Sequence, residues 1–92
     1  MEKIKLVINN PVGLHARPAT LFVSTTSSFD AKILAKNRTT SSEWVDAKSI
    51  LMVLTLGVEQ GHEIEVLAEG EDEKEAINQI KILIENNFPI ED

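Results

Sequence analysis

The chain has no cysteine among its 92 residues. Neither a disulfide nor a thiolate metal site can hold it together, so it must rest on one apolar core. Long hydrophobic runs are missing too. The longest wholly apolar stretch is Ile50 to Leu54, far too short to span a bilayer. No signal-peptide pattern opens the chain, and a soluble cytoplasmic protein without membrane insertion is expected. A basic balance is also lacking. The formal net charge is −6, whereas nucleic-acid binding needs a basic face for the phosphates. No metal-ligand cluster, glycine-rich nucleotide loop or hydrolase triad is visible, so no metal or cofactor is expected. The length suits a single domain over 1–92 and no more.

The acid is unevenly placed. Glu69, Glu71, Asp72, Glu73, Glu75, Glu85, Glu91 and Asp92 crowd the last part, while 11–29 carries no acid at all. The excess reads as a solvated, repelling surface that keeps the protein soluble. The acid-free stretch holds Gly13-Leu14-His15-Ala16-Arg17-Pro18-Ala19-Thr20. Pro18 fits the first turn of a helix, where backbone N–H groups lack intrahelical partners. Ala19, Phe22, Val23 and Thr26 then recur at helical spacing. His15 thus falls at the N-cap, with the amides of Ala16 and Arg17 directed back at its ring. A helix N-terminus carries unpaired donors and roughly half a positive charge. With Arg17 added, the spot suits a phosphoryl group on a histidine nitrogen, and neutral imidazole is a competent nucleophile. The plainer alternative is a capping histidine beside a surface arginine.

Gly-Leu-His-Ala-Arg-Pro-Ala near an N-terminus resembles the active-site segment of the HPr family, the histidine phosphocarriers of bacterial phosphoenolpyruvate-dependent sugar phosphotransferase systems. Ala47-Lys48-Ser49-Ile50-Leu51-Met52-Val53-Leu54-Thr55-Leu56-Gly57 resembles that family's second signature. The likeness runs from about Met1 to Asn87. It implies that His15 takes a phosphoryl group, on Nδ1, from phosphorylated enzyme I and passes it to the enzyme IIA component of a sugar permease. Arg17 and the amides of Ala16 and Arg17 would hold the phosphate oxygens. Leu21, Ile50, Leu51 and Leu54 would form the docking surface. Ser49 would be a regulatory phosphorylation site, serving an HPr kinase and a transcriptional regulator in Gram-positive members. The protein would be a carrier and a substrate rather than an enzyme, and a monomer.

The chain departs from the family in places. The span from His15 to Ser49 is about three residues longer than in the family, the extra length falling in the polar loop 37–42, where it should be tolerated at small entropic cost. Met52 stands where regulated members have glycine. Ser24 and Ser27 stand where some members have lysine, which leaves Lys48 as the basic residue for acidic partners. Specialised branches of the system, such as the nitrogen-type relay or a dihydroxyacetone kinase relay, fit the same residues. A purely regulatory binding protein acting through Ser49 fits less well, since His15 is intact. An unrelated α+β interaction module is the remaining alternative.

The expected elements follow in order. Glu2 to Ile8 alternates as a strand with Ile4, Leu6 and Ile8 inward. A helix spans Ala16 to Ser27, with Leu21 off its core stripe. Strands follow at Ala31 to Lys36 and Glu43 to Ala47. Ser49 caps a short helix from Ile50 to about Leu56, apolar all round, of which a two-layer domain can bury only one face. Gly57 suits that helix's end. Lone Trp44 reads as cover for a sheet face, and His62 as an ordinary surface histidine in a turn. Glu63 to Ala68 is the last strand. Asp72 with Glu75 resembles a capping box for a final helix whose stripe is Ala76, Ile77, Ile80, Leu83, Ile84 and Asn87. The order β-α-β-β-α-β-α predicts an α+β fold: three helices over one face of a four-stranded antiparallel sheet, the open-faced β-sandwich of HPr.

Overall fold

The computed structural model describes residues 1–89; Glu91 and Asp92, part of the acid excess, lie outside them. The elements are β1 (Glu2–Val7), α1 (Ala16–Ser27), β2 (Lys32–Asn37), β3 (Val45–Asp46), α2 (Ile50–Thr55), β4 (Glu63–Glu69) and α3 (Glu73–Glu85). The sheet order is β1-β4-β2-β3, antiparallel throughout. β4 therefore sits between β1 and β2, pairing Leu6 with Ile64 on one side and Ala35 with Val66 on the other. Strand alternation sends Leu6, Ile33, Ala35, Ile64, Val66 and Ala68 to the helix side, where all are buried. Lys3, Lys5 and Val7 of β1 are exposed. The helices answer with Ala19 and Phe22 from α1, Val53 from α2, and Ala76, Ile77, Ile80 and Ile84 from α3. The result is the open-faced two-layer arrangement expected.

Several local expectations need correction. β3 is two residues long, not five. The amide of Asn37 donates to Ser42 Oγ (2.9 Å) and its carbonyl accepts from Ser42 N (3.0 Å), which closes the hairpin early and leaves Glu43 and Trp44 outside the ladder. Trp44 is partly exposed, with the Lys36 ammonium 5.0 Å from its ring centre. No capping box forms at α3. Asp72 makes no side-chain bond to its own helix; its carboxylate instead accepts from the amides of Asp30 and Ala31, each at 2.9 Å. These donors, Asp30's first, hold the Asp72 carboxyl below the usual carboxylate range.

The end of α3 also differs. Asn87 is exposed with φ at 56°, and Phe88 is buried in its place. The amide of Phe88 donates to the carbonyl of Leu83 (2.9 Å) and that of Asn87 to Ile84 (3.0 Å). This pair of bonds is a Schellman motif, in which a left-handed residue turns the chain so that the next one falls back on the helix.

Candidate functional site

The loop before α1 is set by backbone bonds. The amide of Gly13 donates to the Asn10 carbonyl (3.1 Å), and the Asn10 side chain donates back to the Gly13 carbonyl (2.8 Å). Gly13 has φ at +66°, and a Cβ there would collide with the Val58 carbonyl. Leu14 is fully buried, and its amide donates to that same Val58 carbonyl at 3.0 Å. The segment after α2 is thereby the floor on which the loop rests. The next residue, His15, is exposed.

His15 is the N-cap of α1, in extended conformation (φ −128°, ψ 162°), and its ring makes no capping bond. The imidazole is thus presented to solvent at the positive end of a helix. Ala16, the first helical residue, has φ at 50°. A left-handed alanine costs roughly 1–2 kcal/mol, so the chain enters α1 through a strained turn that periodicity could not reveal. Arg17 is exposed in the first turn, and Pro18 behind it is buried. His15, Ala16 and Arg17 are consecutive at one helix end, as the sequence placed them.

The second motif lies alongside, since α1 and α2 pack against each other. Ser49 Oγ accepts from the Met52 amide at 3.3 Å, the expected cap. Of α2, Val53 alone is buried, with Leu56 buried just past its end; Leu51 is 73% exposed, and Ile50, Met52 and Leu54 lie between 37 and 41%. Burial of the whole helix under a neighbouring loop is therefore excluded. Leu21 is half-buried and packs against the core, so it offers an edge rather than a free side chain.

Lys48, the basic residue left for acidic partners, donates from its ammonium to the Phe29 carbonyl at 2.6 Å. Phe29 follows the far end of α1 from His15, and a helix of 12 residues is about 18 Å long. His62 is not an ordinary surface histidine. It is half-buried, and its Nδ1 lies 3.1 Å from both the Asn37 side-chain nitrogen and the Glu59 amide. Asn37, fully buried, escaped sequence reasoning; an inward-facing asparagine in an alternating strand was the available signal.

No helix among the described residues is long and apolar enough to cross a membrane.

Known proteins agree with this geometry. The family model described as the phosphorylation site of the HPr component of phosphotransferase systems matches residues 2–86. Over 87 residues the chain is 38% identical to the phosphocarrier protein HPr of Mycoplasma pneumoniae, covering 95% of this chain and 97% of that one. It is 46% identical over 81 residues to a multiphosphoryl transfer protein of Haemophilus influenzae; the match covers 88% of this chain and spans 16% of that longer protein. The crystal structure of HPr-C-His from Thermoanaerobacter tengcongensis superposes with a TM-score of 0.92 at 44% identity, covering 99% of both chains. An exposed imidazole at a helix end, the sheet order and these matches converge: the chain belongs to the HPr family of phosphocarrier proteins of the phosphotransferase system.

Proposed function

We propose that His15 is the phosphoacceptor, taking a phosphoryl group from phosphorylated enzyme I and yielding it to enzyme IIA of a sugar permease in the cytoplasm. The observation that carries this reading is the exposed, uncapped imidazole at the N-terminus of α1 with Arg17 in the first turn. In the forward step the lone pair of a ring nitrogen, Nδ1 by family resemblance, attacks phosphorus. The N–P bond forms as the bond from phosphorus to the donor breaks, and the donor keeps that electron pair. Arg17's planar fork and the amides of Ala16 and Arg17 meet the charge on the phosphate oxygens. Phosphoryl transfer asks mainly for such positioning and charge stabilisation. An open site holds the group loosely enough to give it up, with the partner completing the surroundings.

Leu21, Ile50, Leu51 and Leu54 serve as the docking surface, an apolar band beside the transfer site. The protein is a carrier, not a catalyst, and acts as a monomer. Ser49 is a second, regulatory phosphorylation site for a kinase, with a transcriptional regulator as the reader. The test of the central reading is incubation with phosphoenolpyruvate and enzyme I. One acid-labile phosphate is expected, and His15→Ala abolishes it while the circular dichroism spectrum persists. Labelling that survives in that variant overturns the assignment.

A further inference from the structure

His62 lies in the turn between α2 and β4, and both groups that face its Nδ1 are N–H donors. The Glu59 amide can only donate. The Asn37 amide is oriented by its other bonds: its oxygen accepts from the Thr40 amide (3.2 Å), and its nitrogen donates to the Leu56 carbonyl (3.1 Å). Nδ1 is therefore the acceptor, and the ring carries its proton on Nε2. Asn37 is fully buried, so water cannot replace a bond it loses.

The turn held this way is the one beneath the His15 loop. Leu56 is the C-cap of α2, and Val58 receives the Leu14 amide. On the other side the turn is bound to the end of β1: Ile8 donates to the His62 carbonyl (2.9 Å) and Gly61 to the Ile8 carbonyl (2.7 Å). His62 and Asn37 join this turn to β2.

We propose that His62 is a positioning residue for the His15 loop: as a neutral acceptor it fastens the turn 56–62 to Asn37, and a proton on Nδ1 releases it. A proton there would set one N–H against two others. Turning the Asn37 amide to offer its oxygen would forfeit both the Thr40 and the Leu56 bonds. The charged neighbours are Glu59 and Glu63 on the turn and its strand, and Arg38 next to Asn37; α2 contributes none, and Asn9 at the end of β1 is uncharged. Arg38 is engaged with Glu63 (2.9 Å) and Glu65 (3.3 Å). Glu59 is thus the remaining carboxylate of the turn.

The consequence for transfer rests on the phosphocarrier reading, but the latch does not, and amide exchange reads it directly. Exchange at Leu14 is followed by NMR on the full chain between about pH 8 and 5, the interval over which histidines change charge, with intrinsic rates divided out. His62→Asn supplies an acceptor that does not titrate; His62→Phe supplies none. In the wild type, protection of Leu14 should fall about tenfold as pH drops, while Val66 in the central strand holds. His62→Asn should keep Leu14 protected throughout, and His62→Phe should leave it weak at both ends. Identical pH courses in the wild type and His62→Asn overturn the proposal, as does a loss that Val66 shares. That comparison decides even where His62→Phe fails to fold. Phosphoryl acceptance measured on the same samples should follow Leu14 protection. Its complete absence, with the latch intact, would count against the phosphocarrier reading alone.

Discussion

The ammonium of Lys48 lies 2.6 Å from the carbonyl oxygen of Phe29, at the end of α1 opposite His15. The contact ties this cation to the far end of α1. Residues 11–29 contain one charged side chain, Arg17, and Ile50–Thr55 contain none. On a chain of net charge −6 the face proposed for transfer is an uncharged apolar window with a single guanidinium at its edge. Charge complementarity mainly sets encounter rates, and exposed apolar patches mark contact surfaces. On the proposed reading, association would depend on burying Leu51 and its exposed neighbours.

Transfer from enzyme I should therefore respond weakly to salt. Raising ionic strength from about 0.01 to 0.15 M shrinks the screening length roughly from 30 to 8 Å, yet the second-order rate should change less than about threefold. Leu51→Glu should lower that rate more than about tenfold while stability stays within about 0.5 kcal/mol, because an exposed side chain supports no packing. Stopped mixing with radiolabelled enzyme I, beside urea denaturation, measures both. A steep salt dependence with an indifferent Leu51→Glu would show that docking is electrostatic after all.

Arg17 should matter to transfer and not to folding. It is exposed in the first turn of α1, off the buried stripe of Pro18, Ala19, Phe22 and Thr26. Arg17→Ala should slow phosphoryl transfer on the order of a hundredfold, the usual loss for a donor aimed at developing charge. Its Tm should shift by no more than a few degrees, as about 0.5 kcal/mol implies in a domain of this size. A large fall in Tm with normal kinetics would make Arg17 a structural residue.

Asp72 gives a pH signature. Its carboxyl is held below the usual range by the amides of Asp30 and Ala31. A folded-state value below the unfolded one means that the stabilisation is present above the ordinary carboxylate range. It is lost as pH falls through the folded value. Asp72→Asn cannot ionise, so its urea midpoint should lie below the wild type at neutral pH, and the gap should narrow as pH drops below about 4. A gap that stays constant with pH would assign the effect to geometry alone.

The residues that were legible from sequence are those whose environment is set by near neighbours. The helical spacing of Ala19, Phe22 and Thr26 placed α1 at Ala16–Ser27, and Ser49 capped the helix directly after it. His15 and Arg17 were legible because one short motif holds them. Asp72 was misread because its donors stand 41 and 42 positions away, and a carboxylate cannot serve both them and its own helix. His62 was misread for the same reason: its partner Asn37 comes from another element, β2. Phe88 escaped because the left-handed Asn87 interrupts the period that would have placed it. Periodicity reports which face a residue occupies; it does not report which distant backbone group a polar side chain will meet.

Ser49 should act on docking and not on folding. Its hydroxyl caps α2 through the Met52 amide at 3.3 Å, and removing such a cap costs about 1 kcal/mol. A phosphate in its place would bring about two negative charges. At a helix N-terminus that charge meets unpaired donors favourably, so α2 should persist. Leu14, next to His15, rests on Val58, past the other end of α2, and a helix of 6 residues is about 9 Å long. The charge would act on Ile50 and Leu51, next in sequence and exposed, where an apolar partner surface must shed water. A desolvated charge is costly, so docking should weaken while the carrier stays folded. Ser49→Asp should therefore keep the wild-type circular dichroism spectrum, with Tm within a few degrees. Its acceptance of phosphate from enzyme I should fall about tenfold or more, through KM rather than kcat, because binding is what changes. Ser49→Ala separates the roles: it should lose stability from the missing cap yet accept phosphate at nearly the wild-type rate. A Ser49→Asp protein that folds normally and transfers as the wild type would leave Ser49 a helix cap and remove it as a switch.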